Sequence, residues 1–163
     1  MDVSNCMRTR LILAKPDCDY KSLLCKIADT VPRLAYIVDE NYKLLGIVSA
    51  VDLLKEVIPS YMNADLARSF TDGADFLHRQ LEKVKNKCAR DMMVTKFSFL
   101  HPHHQLLKAD AMFAERGFNI LPVIDEQGKL LGEITRLDIL LHLVNNCTEF
   151  NLNDKDLVDL SLL

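Results

Sequence analysis

Apolar and polar positions along this chain follow two spacings, and the order of those spacings occurs twice. Between Gln105 and Arg116, residues Leu106, Leu107, Ala109, Met112 and Phe113 recur at helical spacing, and Gly117 follows as a C-terminal stop. Residues 120–124 form an apolar strand. Asp125-Glu126-Gln127-Gly128 predicts a turn in which Gly128 is free to take positive φ. Residues 130–134 return as the second arm of a hairpin, and a helix opens at Thr135 or Arg136 and runs to about Val144. Ahead of all these, residues 96–100 predict a short strand stopped by His101-Pro102. The first half predicts the same order: strand 10–14, helix 20–29, hairpin strands 34–38 and 44–48, and helix 50–58 ended by Pro59. Tyr42 stands where Gly128 does, so the two turns are expected to differ in type.

The two halves match without a gap at an offset of 86 residues, residues 9–58 against 95–144. The best stretch sets D-E-N-Y-K-L-L-G-I-V-S-A-V-D-L-L, from Asp39 to Leu54, against D-E-Q-G-K-L-L-G-E-I-T-R-L-D-I-L, from Asp125 to Leu140. Thr9/Thr95, Pro16/Pro102 and Ala28/Ala114 keep the same offset. A constant offset over such a length implies duplication of one supersecondary unit. A unit of roughly 50–60 residues buries too little surface to stand comfortably alone. The two copies are therefore expected to form one body with a cleft between them. The expected organisation is repeat 1 over residues 1–58, a connector over 59–87, repeat 2 over 88–146 and a tail over 147–163.

The connector has helical spacing in Phe76, Leu77, Leu81 and Val84, and is basic towards its end through Arg79, Lys83, Lys85, Lys87 and Arg90. A solvated helix face is the expected reading, with an anion-binding patch as the alternative. The tail holds Leu152, Leu157, Val158, Leu160, Leu162 and Leu163 among acids, as a docking helix or a dimer contact would. A formal charge of −3 argues against general nucleic-acid binding, and no apolar run reaches the roughly 18 residues of a membrane span. The polar N-terminus does not read as a signal peptide. Five cysteines, odd in number and without a C-x-x-C, suggest reduced structural thiols and a cytoplasmic setting.

The element with chemical content is G-x-x-[ST]-x-x-D, present as Gly46, Ser49, Asp52 and again as Gly132, Thr135, Asp138. In both copies a strand ends at the hydroxyl and a helix begins. A helix N-terminus offers unpaired N–H groups and partial positive charge to an anion such as phosphate. The hydroxyl can donate to a phosphate oxygen, and the carboxylate one turn later can accept from the two hydroxyls of a ribose. The alternative is a capping box, in which hydroxyl and acid satisfy backbone N–H groups of the helix start. The recurrence at equivalent junctions favours nucleotide binding.

The repeats resemble CBS domains, named after cystathionine β-synthase, and the tandem resembles a Bateman module. The marks are A-R-D-M-M-V (Ala89 to Val94), H-P before the first helix of the second copy, L-P-V-I-D-E-Q-G-K-L-L-G (Leu121 to Gly132) and T-R-L-D-I-L (Thr135 to Leu140). The resemblance implies an α+β fold of two β-α-β-β-α repeats packed around a pseudo-twofold axis. It further implies adenosyl ligands (AMP, ADP, ATP or S-adenosylmethionine) as regulatory ligands rather than required cofactors, a homodimer, and a separate effector protein. By position, Asp52 and Asp138 would hold ribose hydroxyls, and Ser49 and Thr135 would contact phosphate or ribose. Lys15, His101, Tyr20 and Leu106 would border the pockets. Pro32, Arg33 and Leu34, with Phe118, Asn119 and Ile120, would line adenine. Ile47 would pack on adenine, and Arg136 would reach phosphate.

The copies depart from that pattern differently. Glu133 stands where Ile47 does, and strand alternation puts it on the cleft face beside Thr135. Tyr36 stands where Pro122 does and is expected to narrow its cleft. The cluster His101, His103 and His104 reads as a polar helix start rather than a metal site, because closed zinc sites use four well-spaced ligands. No nucleophile–base constellation, phosphate loop or H-E-x-x-H occurs, so catalysis is not expected. Two functions remain on the sequence: a regulatory adenine-nucleotide sensor, and a dimeric scaffold whose hydroxyls and acids only cap helices.

Overall fold

The computed structural model describes residues 1–28, 30–69, 73–117 and 119–145. The chain opens with a 3-10 turn, Val3–Asn5, followed by β1 (Leu13–Ala14), α1 (Tyr20–Ala28), β2 (Leu34–Val38), β3 (Leu44–Ser49) and α2 (Ala50–Val57). Connector helices α3 (Ala64–Ser69) and α4 (Gly73–Val84) lead to one turn of helix, α5 (Ala89–Met92). The second copy supplies α6 (Leu106–Arg116), β4 (Ile120–Ile124), β5 (Leu130–Thr135) and α7 (Arg136–Asn145). The expected leading strands are shorter than the apolar runs. β1 keeps two residues, paired parallel to β2 at Leu13↔Tyr36 and Ala14↔Ile37, and its counterpart is the single parallel bridge Leu100↔Val123.

β2 is buried along its whole length, and alternation divides its side chains between two cores. Ala35 and Ile37 pack with Tyr20, Leu23, Ile27, Val48 and Leu53 under the helices of the first copy. Leu34, Tyr36 and Val38 face the other way and pack with Leu44 and Ile124 between the copies. The second copy has its own helical core of Val3, Leu100, Leu106, Ala109, Phe113, Leu121, Val123 and Ile134. The sheets thus lie face to face with helices outside, as the duplication required.

The segment leading into each copy docks on the other copy. Val94 N–H donates to Ile47 O at 2.9 Å and Ile47 N–H to Val94 O at 3.1 Å, adding an edge to β3. At equivalent positions Arg8 N–H donates to Glu133 O at 2.7 Å and Glu133 N–H to Arg8 O at 2.9 Å, adding an edge to β5. Ala89 and Met92 are buried in the first core, and Val3 in the second. In space, residues 1–8 therefore sit with the second copy, and the stretch around α5 sits with the first. Of the basic run in the connector, Arg79 pairs with Asp75, Lys85 with Glu82 and Lys87 with Glu56, which supports a solvated face.

The hairpin turns do not differ in type. Tyr42 has φ 61° and Gly128 φ 83°, both left-handed. Asp39 Oδ1 accepts from Asn41 and Lys43 N–H at 2.8 and 3.0 Å, and Asp125 Oδ1 from Gln127 and Lys129 N–H at 2.9 and 2.8 Å. The two tips also pair with each other, Leu44 N–H to Gly128 O at 3.0 Å and Leu130 N–H to Tyr42 O at 2.9 Å. Those bonds offset the steric cost of a left-handed tyrosine, which the residue type alone argued against.

Two glycines are fixed by the crossed docking. A Cβ on Gly46 would lie 2.7 Å from Met93 Sδ, and one on Gly132 would lie 2.7 Å from the Arg8 carbonyl oxygen and 3.0 Å from Met7 Sδ. Gly46→Ala and Gly132→Ala are each expected to lower unfolding stability by about 1–3 kcal/mol, the usual cost of overpacking, measured as a denaturant midpoint. Gly132→Ala should also speed amide exchange at Arg8 and Glu133, because the clash there is with backbone that cannot rotate away.

Candidate functional site

The two hydroxyl–carboxylate pairs adopt one geometry. Asp52 Oδ2 accepts from Ser49 N–H at 2.8 Å and from Ser49 Oγ–H at 2.6 Å, while Asp52 N–H points back to Ser49 Oγ at 3.3 Å. In the second copy, Asp138 Oδ2 accepts from Thr135 N–H at 2.8 Å and from Thr135 Oγ1–H at 2.7 Å, and Asp138 N–H donates to Thr135 Oγ1 at 3.1 Å. Each is a capping box at the start of a helix. The box uses Oδ2 and leaves Oδ1 of Asp52 without a hydrogen bond among the described residues, so capping and ligand contact are compatible at one side chain.

Asp52 and Ser49 open onto a cavity of about 280 Å³ whose walls come from both copies. Ile47 lies beside them. Opposite stand Val94, Lys96, Phe97 and Ser98 of the crossing segment, and Ile120, Leu121 and Pro122 of β4. The wall is apolar apart from Ser49, Asp52, Lys96 and Ser98. Lys96 is exposed at the mouth.

The pseudo-symmetric cleft is built differently. It holds about 210 Å³ between Arg10, Leu11 and Ile12, residues 30–32, Leu34, Tyr36 and Glu133. Thr135 and Asp138 are not on its wall. The Tyr36 hydroxyl donates to Glu133 Oε2 at 2.7 Å across the gap between copies. Arg8 Nη2 lies 3.1 Å from Glu133 Oε1, and Arg8 Nε lies 3.2 Å from Asp138 Oδ2 at an angle too poor for a hydrogen bond. The Arg8–Asp138 contact is therefore one of charge. Glu133 is 3% exposed. Burial pushes its carboxyl above the usual range, the Tyr36 hydrogen bond and Arg8 pull it back, and Asp138 adds to the rise. Burial, then the Glu133 charge and hydrogen bond, push the Tyr36 phenol well up, with Arg8 opposing.

Of the residues expected at a pocket, Ile47, Ser49, Asp52 and Ile120 come together at the first cleft, and Pro32 and Leu34 line the second. The others serve the fold or lie elsewhere. The Tyr20 hydroxyl donates to Leu53 O at 2.9 Å inside the first core, and Leu106 is buried in the second. Lys15 Nζ donates to Asp39 O at 3.0 Å, and His101 Nδ1 lies 2.9 Å from Ile124 O, so both pin the end of a neighbouring strand. The Arg136 guanidinium sits 5.7 Å from the Phe113 ring centre, in a groove on the helical face. Arg33 is exposed at φ 52°, and its carbonyl accepts from Ala50 N–H at 3.2 Å. Asn119 is exposed ahead of β4, and Phe118 lies outside the described residues, as does the tail. Arg8, Lys96 and Phe97 carried no sequence signal of a site. They arrive through the crossed docking, and only the 86-residue offset, which aligns Arg8 with Val94 and Glu133 with Ile47, could have exposed the ion pair.

Among the described residues no group of three or more His, Cys, Asp or Glu side chains is arranged to hold a metal ion, and no helix is long and apolar enough to cross a membrane. Cys6, Cys18, Cys25 and Cys88 are free thiols.

The buried carboxyl makes a signed prediction. Because the folded pKa of Glu133 is raised, the folded state holds the proton more tightly than the unfolded chain does. This group's contribution is most favourable below the ordinary glutamate value of 4.5 and declines as pH rises through its raised folded value. Glu133→Gln should remove that decline, so the parent and the variant should diverge in melting temperature as pH rises from about 4.5. Tyr36→Phe should cost about 1–3 kcal/mol by leaving Glu133 without its donor, read by chemical denaturation.

The CBS domain family model matches residues 2–59 and 89–145. The uncharacterized protein MJ1426 of Methanocaldococcus jannaschii is 27% identical over 123 residues, covering 68% of this chain and 72% of that protein. The chloroplastic CBS domain-containing protein CBSX2 of Arabidopsis thaliana is 26% identical over 139 residues, covering 82% of this chain but 58% of its own length. Among solved structures, CBSX2 in complex with AMP superposes with a TM-score of 0.68 at 24% identity, covering 89% of this chain and 97% of that one. MJ1225 of M. jannaschii superposes with a TM-score of 0.71 at 18% identity, covering 91% and 52%. With a matching family model over most of its length and the matching two-sheet architecture, the chain belongs to the CBS domain family.

Proposed function

We propose that this chain is a regulatory module that binds an adenosine-containing nucleotide in the cleft of Ser49 and Asp52 and signals to a separate effector protein. One observation carries the proposal. Asp52 offers a free carboxylate oxygen at a helix start, on the wall of a cavity that both copies line and that Lys96 borders. The ribose diol would donate to Asp52 Oδ1. The adenine ring would lie against Ile47, Ile120 and Pro122. A phosphate would meet Lys96 and the N-terminus of α2, where charge and dipole both favour an anion. The AMP complex of CBSX2 supports this choice of ligand class through a shared fold.

A ligand in this cleft touches β3 and α2 of one copy and the crossing segment and β4 of the other. Its binding energy therefore depends on how the copies are placed relative to each other. By linkage, any effector that reads that placement is coupled to nucleotide binding.

A homodimer is the second element of this reading. Leu24, Val51 and Leu54 on the helices of the first copy, and Leu107, Leu137 and Leu140 on those of the second, are 44%, 59%, 56%, 79%, 61% and 57% exposed. A second chain presenting the same apolar face would cover such a patch in an isologous interface.

Differential scanning fluorimetry with AMP, ADP, ATP and S-adenosylmethionine should show a concentration-dependent rise in melting temperature for at least one of them. Asp52→Asn should weaken that ligand about 10- to 100-fold, the worth of hydrogen bonds to a charged acceptor. Lys96→Met should weaken phosphate-bearing ligands more than adenosine. Absence of any shift at millimolar concentration would leave the scaffold reading, in which the capping boxes serve the helices alone. Leu54→Glu with Leu140→Glu should convert a dimer to a monomer in light scattering.

A further inference from the structure

We infer that the second cleft takes no nucleotide: Arg8 of the N-terminal arm and Tyr36 hold Glu133 and Asp138 there, and the protein takes one nucleotide per chain, at Asp52. The stoichiometry rests on the nucleotide reading above; the hold of the arm on Glu133 and Asp138 does not.

The argument begins with three positions that differ together. Val94, Ile47 and Pro122 form an apolar wall in the first cleft. At the same offset, the second cleft has Arg8, Glu133 and Tyr36. Each of the last two would be unfavourable alone, since Glu133 and Tyr36 are 3% and 1% exposed and a buried polar group without a partner is costly. Together they satisfy one another: the Tyr36 hydroxyl on Glu133 Oε2 at 2.7 Å and Arg8 Nη2 at 3.1 Å from Oε1. The set reaches from one copy to the other.

Asp138 is committed to the same set. Its Oδ2 caps α7 and also faces Arg8 Nε at 3.2 Å, and its side chain is 11% exposed. The motif is intact in sequence, yet its hydroxyl and acid no longer reach the cavity wall. Displacing Arg8 to admit a ribose would strand a buried carboxylate. Nor is the arm free to leave cheaply. Its backbone pairs with β5 through Arg8, Val3 is fully buried in the second core, and Val3 N–H donates to His104 O at 2.8 Å.

Isothermal titration of the parent with AMP and with ATP tests the stoichiometry. One equivalent per chain is expected, lost with Asp52→Asn and kept at unchanged affinity with Asp138→Asn, which preserves the cap. Two equivalents, or loss of binding with Asp138→Asn, would overturn the inference while leaving the nucleotide reading intact. If neither compound binds, the nucleotide reading and the stoichiometry fail together, and a ligand-free cycle decides whether the arm holds Asp138. Arg8→Ala, Asp138→Ala and the double variant are compared by thermal unfolding. The double variant should lose clearly less melting temperature than the two single losses added. Additive losses would show that Arg8 and Asp138 are not coupled and would overturn the inference.

Discussion

The rest of the molecule depends on the crossed backbone pairing of the two leading segments. Val94 extends the sheet of the first copy at Ile47, and Arg8 extends that of the second at Glu133. Neither copy is complete without a segment that belongs to the other in sequence. Each helical core takes residues from that borrowed segment, Ala89 and Met92 in one and Val3 in the other. The clefts inherit the arrangement. Their walls are made of one copy's strand-to-helix junction and the other copy's crossing segment, so nothing can be added to a cleft without touching both copies.

Identical backbone geometry therefore carries two different chemistries. The exchange of Val94–Ile47 for Arg8–Glu133 keeps the bridge hydrogen bonds, because those are backbone bonds and do not depend on side chains. What changes is the medium. The first cleft is an apolar wall with isolated polar groups at the mouth, the usual composition of a small-molecule site. The second is a buried polar cluster, favourable only while every member keeps its partner. Buried ion pairs are weak evidence of stability, since desolvation offsets most of their attraction. Their retention here is better explained by a requirement on the cleft than by a requirement on the fold.

Most of the fold was legible because hydrophobic spacing and a fixed offset survive in the sequence. The helices at 106–116 and 136–145 and both hairpins follow directly from periodicity. The leading strands were overread, since Lys96 to Ser98 are spent on a cleft wall and only Leu100 joins a bridge. The turn at Tyr42 was misjudged because tertiary pairing of the two hairpin tips, absent from any local pattern, holds a tyrosine left-handed. In the site, Ser49, Asp52 and Ile47 were legible as a motif. Tyr20, Lys15 and His101 each bond a backbone carbonyl, and in sequence such a side chain looks the same as one that awaits a ligand.

The capping box and the ribose site were rival explanations of one motif, and the structure removes the rivalry. A carboxylate has two oxygens. In both copies one of them holds the helix start, which fixes the side chain's rotamer before any ligand arrives. Preorganisation of that kind lowers the entropy lost on binding. It also explains how the motif can serve a helix start without a ligand: at Asp138 the capping oxygen is the one that faces Arg8. Retention of the motif is thus a statement about helix starts in both copies, and about a ligand only where the neighbouring wall leaves room for one.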